Sequence, residues 1–221
     1  MSTIPNYMPV LSRGAHSGPS EGACIMEYAS FLAGEEWSDT PSCTHTVLAL
    51  VAQRINDDLS DADRHMLFPL LARLMGTSTG KNDPALSVRL AVWAARQVAH
   101  LNPDPRVMAA IKAAEAWTLN PASDATPAAT AAIEATHSAV NTDTVAAASA
   151  AAAASAAAHA SHADFYAAHA AEYASRSTGR TAADQVEFLA DLITEYDRLT
   201  GRTEHPTVTE GDLRRCAELT A

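Results

Sequence analysis

The sequence predicts an all-α fold, a multi-helix bundle with an alanine-rich helical C-terminal part. Three observations carry that expectation. Residues 145–160 read Val-Ala-Ala-Ala-Ser-Ala-Ala-Ala-Ala-Ala-Ser-Ala-Ala-Ala-His-Ala, and alanine is the best intrinsic helix former. Apolar residues recur at helical spacing, as in Val47, Leu48, Val51 and Ile55, or Val186, Leu189, Leu192, Ile193, Tyr196 and Leu199, the stripe of a helix with one buried face. No run alternates apolar and polar residues between hairpin turns, as a half-buried strand would.

The elements follow in order. Residues 1–20 are rich in Pro, Gly and Ser and read as irregular. Ser20 is placed to cap a helix over about 21–33, ended by Gly34, with Ile25, Tyr28, Ala29 and Leu32 on one face. A loop spans 35–43, and a helix follows over about 44–58. Ser60 and Asp63 form a capping-box pattern that opens a helix to about Met75. Pro69 falls inside it, so this helix kinks there or restarts with proline in its first turn.

Asp83-Pro84 begins a helix bearing Leu86, Leu90, Trp93, Val98 and Leu101, which Asn102-Pro103-Asp104-Pro105 breaks and restarts through Trp117. After a turn over 121–127, residues 128–140 read as helical. The alanine-rich stretch from about Thr142 to Arg176 is long for one globular helix, so a break near Ser161 is expected. Thr181 caps the amphipathic helix that Gly201 closes, and 209–219 add a short one. These elements divide into a three-helix N-terminal unit over 1–76 with a Cys/Trp/His motif, a linker over 77–82, and an alanine-rich bundle over 83–221.

Hydrophobic residues make up 48% of the 221 residues while aromatics are only 5%. Alanine supplies much of that share, so core volume must come from the Leu, Val, Ile, Met and Phe clusters near both ends. The formal net charge is −11. Without a basic stripe, a nucleic-acid partner is not expected, because gripping a phosphate backbone needs clustered Lys and Arg. No stretch reads as a membrane span or a secretory leader, which makes the expected setting cytoplasmic. Three cysteines, Cys24, Cys43 and Cys216, are too few for a disulfide-stapled scaffold, and reduced thiols are the default. A Cys24–Cys43 bridge stays open as an alternative.

Chemistry-bearing residues gather at the front: His16, Cys24, Glu27, Trp37, Asp39, Cys43 and His45. His16, Cys24 and Cys43 are the candidate metal ligands and zinc the candidate ion, although neither a C-x-x-C nor an H-x-x-x-H pair is present. A cysteine at a helix N-terminus has a lowered pKa. Cys43 or Cys24, with His16 or His45 as base and Asp39 as orienter, is therefore the enzymatic reading. The favoured alternative is structural: Cys24 fills the core and Trp37 anchors a loop.

Farther along, Ser155, His162, Tyr166, His169 and Tyr173 share one helix face. His162 and His169 stand about 10 Å apart along the axis, so one ion cannot bind both. This stripe reads as a seam between helices. Glu27, Trp37, Asp39, His162, Tyr166, His169 and Tyr173 make up the candidate binding residues. The Gly76–Lys81 stretch lacks the spacing of a phosphate loop, and the threonines at 126, 130, 136, 142 and 144 keep no helical period that an ice-binding face would need.

Two resemblances join these readings. The stretch Pro103-Asp104-Pro105-Arg106 through Ile111-Lys112-Ala113-Ala114-Glu115-Ala116-Trp117, with Ala156–Ala174 after it, resembles the Imm-5-like immunity proteins of bacterial toxin systems, over roughly residues 85–176. The front, His16-Ser17-Gly18-Pro19-Ser20-Glu21-Gly22-Ala23-Cys24-Ile25-Met26-Glu27 and Leu32-Ala33-Gly34-Glu35-Glu36-Trp37-Ser38-Asp39-Thr40-Pro41-Ser42-Cys43, resembles a segment of uncharacterised actinobacterial and actinobacteriophage proteins, over about residues 10–77. The first resemblance implies an α-helical immunity-type protein, and the second implies a phage or high-GC bacterial source.

The expected function is therefore non-enzymatic: an immunity-type or phage accessory protein that binds another protein, a basic one by charge complementarity. An enzyme or metalloprotein using the front Cys/His cluster, and a self-associating structural phage component, are the alternatives.

Overall fold

A computed structural model describes residues 8–78, 80, 83–138, 144–178 and 181–220. Among them it is all-α, with ten α-helices and no strands. The chain forms two compact units, one of residues 1–81 with 203–221, the other of residues 82–202. The last helix thus belongs with the front of the chain, whereas the sequence grouped it with the alanine-rich bundle.

In the first unit, α1 spans Ile25–Leu32, α2 Thr46–Asp58, α3 Phe68–Leu74 and α10 Glu210–Leu219. α1 begins four residues later than its sequence pattern suggested, with Cys24 at its N-cap. Gly22 sits at φ +119° and separates α1 from a 3-10 turn at Pro19–Glu21, a backbone geometry that only glycine adopts readily. Pro69 stands in the first turn of α3, after a 3-10 turn at Arg64–Leu67. Its missing N–H falls where no helical partner exists, so the helix restarts rather than kinks.

The core joins Ile25, Met26 and Tyr28 of α1 to Val47, Leu48 and Val51 of α2 and to Leu71 and Leu74 of α3. α10 adds Cys216, fully buried, and sets Arg215 over the Phe31 ring at 6.0 Å. The Tyr28 hydroxyl lies 3.2 Å from the Val10 carbonyl and 3.0 Å from the Thr220 hydroxyl. Sequence periodicity cannot foresee such contacts across so many residues.

The expected 77–82 linker lies partly outside the described residues, and its beginning is no loose tether. Thr77 is fully buried, accepts the His45 N–H at 2.8 Å and donates to the Leu74 carbonyl at 2.7 Å, while Ser78 N–H donates to the Cys43 carbonyl at 3.1 Å.

In the second unit, α4 spans Pro84–Val98, α5 Pro105–Leu119, α6 Thr126–Ser138, α7 Thr144–Ala158, α8 Ala163–Thr178 and α9 Ala182–Thr200. Asp83, Asp104 and Thr181 cap α4, α5 and α9. The expected break near Ser161 is a 3-10 turn at Ala160–His162. Val140 and Thr142, where two helix ends were expected, fall outside the described residues.

α7 packs against α4, α5, α6 and α8, which makes the alanine-rich helix the axis of this bundle. Ala146, Ala147, Ala150, Ala153, Ala154, Ala156 and Ala157 are fully buried. Each methyl removes little apolar area; what the small side chains permit is close backbone approach on several sides at native density. Ser149 marks that proximity, its hydroxyl donating to the Ala170 carbonyl of α8 at 2.8 Å.

Candidate functional site

Glu27 organises the front of the chain. It is the third residue of α1, fully buried, and closes a capping box in which Cys24 takes the place of serine or threonine. Its Oε2 accepts the Cys24 N–H at 2.6 Å and faces His16 Nδ1 at 2.8 Å, while Oε1 accepts the His16 N–H at 2.5 Å. Trp37 Nε1 donates to the His16 carbonyl at 3.1 Å, and the Trp37 ring meets Tyr28 edge-on at 6.5 Å. Ser30 donates to the Glu27 carbonyl at 2.7 Å and accepts the Ser38 N–H at 3.2 Å. One carboxylate and one indole thereby fasten the irregular segment before α1 and the loop after it.

His16, Cys24, Glu27 and Trp37 converge. The rest of the expected cluster goes elsewhere. His45 caps α2, its Nδ1 accepting the Val47 N–H at 3.3 Å. Cys43 lies 3.7 Å from the Thr44 hydroxyl, and the Asp39 carbonyl takes the Gln53 side chain. Among the described residues no group of three His, Cys, Asp or Glu side chains could hold a metal ion, so His16, Cys24 and Cys43 do not fit zinc. All three cysteines are free thiols.

The thiol chemistry runs against the enzymatic reading. Burial, helped by the Glu27 charge, pushes Cys24 up to about 12, outweighing the lowering by the α1 backbone N–H groups. Burial also pushes Cys43 up and Cys216 up to about 12. A helix N-terminus favours a thiolate, but burial in apolar surroundings disfavours it. Here desolvation wins, and neither Cys24 nor Cys43 is armed as a nucleophile.

The His/Tyr stripe of α8 does not supply the fully buried face of this helix. That face is alanine: Ala163, Ala167, Ala170, Ala171 and Ala174 are buried. Of the Phe165, Tyr166, His169 and Tyr173 rings, only Phe165 is exposed; the other three are half-buried. Phe165 is 56% exposed and meets His169 edge-on at 4.5 Å and Tyr166 at 5.5 Å. His169 stacks toward Tyr173 at 6.2 Å, and His159 lies 5.3 Å from Tyr166. His162 is exposed beside Ser161. Glu172 sits 3.3 Å from His169 and 3.0 Å from Arg176.

One feature of the second unit had no place among the sequence candidates. Trp93 of α4 borders a groove rimmed by Arg89, Arg96 and Arg198. Its signal was the Arg89, Trp93, Arg96 spacing of i, i+4, i+7 on one helix face.

Comparison with known protein families, with curated proteins and with solved structures finds no match to this chain.

Proposed function

We propose that this chain is a non-enzymatic binding protein that takes another protein against the outward face of α8. The observation that supports this reading is the ladder of Phe165, Tyr166, His169 and Tyr173, in which Phe165 is exposed and the other three rings are half-buried. Aromatic rings are enriched at the centres of protein interfaces because they bring large rigid contact area with little rotamer entropy to lose. The raised thiols weigh against the enzymatic alternative, since an acyl- or group-transfer nucleophile needs the thiolate.

A basic partner suits the chain, whose net charge of −11 steers an opposite charge toward it. An immunity-type protein that blocks a basic toxin is the specific form of the proposal. The test compares wild-type protein with a Phe165→Ala/Tyr173→Ala variant, both used to capture partners from the host's lysate. A partner held by the wild type and lost by the variant supports the reading. Identical captures from the two proteins overturn it. Concentration-dependent self-association that the variant loses would instead assign this face to a second copy of the chain.

A further inference from the structure

α4, α5 and α9 line a groove of about 480 Å³ in the second unit, within the size range of small-molecule sites. Its walls are mainly apolar, with Val92 and Trp93 from α4, Leu119 from α5 and Leu199 from α9. Leu119 is 87% exposed, so its side chain is available to whatever enters. Trp93 is steadied from below by Phe188, ring centroids 5.6 Å apart, which gives the groove a pre-set aromatic wall.

The charges around this groove are unequal. Arg96 is held by Glu115, with Nη2 at 2.5 Å, in a pair that ties α4 to α5. Arg198 is held by Glu195 through two nitrogens, each at 2.7 Å. Arg89 is exposed and has neither an ion pair nor a hydrogen bond among the described residues. The rim therefore carries one positive charge with no ion-pair partner among the described residues, on a chain with a net charge of −11. Trp93 also borders a smaller depression of about 150 Å³ that carries Asp184, Glu187 and Asp191. That side repels a second negative charge.

We propose that this groove binds a small amphipathic carboxylate, an aromatic or aliphatic body with a single anionic head. The body lies on Trp93 and Leu119, and the head pairs with Arg89. A guanidinium matches a carboxylate with two parallel donors. One unpaired cation with acidic neighbours selects a monoanion over a phosphate dianion. This site is separate from the α8 face and stands whether or not that face binds a protein.

The test titrates the full chain with naphthalene-2-carboxylate, its neutral carboxamide and inorganic phosphate, followed by amide chemical shifts and calorimetry. The carboxylate is expected to saturate the site with shifts confined to α4, α5 and α9, and to bind about tenfold or more tighter than the carboxamide. Its affinity should fall with added salt, and phosphate should not compete. Arg89→Ala should bring the carboxylate down to the carboxamide's affinity without moving the melting temperature, since Arg89 holds no structural partner. Trp93→Phe should weaken both naphthalene compounds. Equal affinities for carboxylate and carboxamide, undiminished binding by Arg89→Ala, shifts centred elsewhere, or no saturable binding at millimolar carboxylate would each overturn the proposal. So would a groove that takes an acidic peptide and ignores the naphthalene carboxylate.

Discussion

His16 Nδ1 lies 2.8 Å from Glu27 Oε2, and the same carboxylate accepts the backbone N–H groups of His16 and Cys24. Both Glu27 oxygens are thus occupied in a site closed to solvent. Glu27→Gln keeps the shape but replaces one acceptor with an NH2 group aimed at a donor. Leaving buried donors unanswered costs about 3 kcal/mol, and urea unfolding should show that loss. His16→Ala removes a single contact while the backbone N–H bond persists, so it should cost about 1 kcal/mol. Equal losses for the two variants would mean that the imidazole, and not the carboxylate, holds this segment.

The thiols set an alkaline limit. Cys24 and Cys216 titrate near 12 when folded, against an ordinary value of 9.0, because burial disfavours the thiolate. Between those values the unfolded chain has lost thiol protons that the folded chain retains. The stability from keeping these thiols neutral is present below about pH 9 and drains away as the pH rises toward 12. The melting temperature should fall across that window, and Cys24→Ala/Cys216→Ala should flatten the fall. A thiol-reactive probe near neutral pH should reach half-buried Cys43 first and the other two only in denaturant.

The helical class, most boundaries, the Asp-Pro helix starts at 83–84 and 104–105 and the cap at Thr181 were legible because they rest on local rules: propensity, periodicity and side-chain acceptors for free N–H groups. The start of α1 was misplaced because Ser20 looks like a cap, whereas Gly22 at positive φ stops any helix there and Glu27 closes on Cys24. The α8 stripe was found, but not that the alanines beside it take the fully buried face. A helix that carries an aromatic face and an alanine face can bury either one, and packing beside an alanine-rich α7 favours the small one. The front cluster dispersed for a different reason: Cys43 and His45 are near Cys24 in sequence, but the Cys43 thiol sits by the Thr44 hydroxyl and the His45 ring caps α2, while the Asp39 backbone carbonyl takes the Gln53 side chain.

Bulk at the centre of the second unit should be poorly tolerated. Ala153 is fully buried on α7, which has neighbours on several sides. Ala153→Leu must push helices apart or force strained rotamers, at a cost of about 1–3 kcal/mol. Thr130→Leu, on an exposed position of α6, adds similar bulk where nothing resists it and should change stability by less than about 0.5 kcal/mol. Thermal denaturation of the two variants gives the comparison, and a stable Ala153→Leu protein would mean the alanine packing is looser than the buried methyls imply.

The break before α1 offers a cleaner separation of two kinds of strain. A Cβ on Gly22 would stand 2.6 Å from the Ser12 Oγ, 2.9 Å from the Ser12 Cβ and 3.1 Å from His16 Nε2. The backbone there, at φ +119°, also lies outside the regions an L side chain favours. Gly22→Ala should therefore destabilise the first unit by more than about 1 kcal/mol, through both clash and backbone. Adding Ser12→Gly removes the hydroxyl and the Cβ that collide but leaves φ unchanged, so the double variant should regain only part of the loss relative to Ser12→Gly alone. Full recovery would assign the whole penalty to the collision and none to the dihedral. No recovery would place it in the dihedral and in the contact with His16, the residue that Glu27 keeps in place.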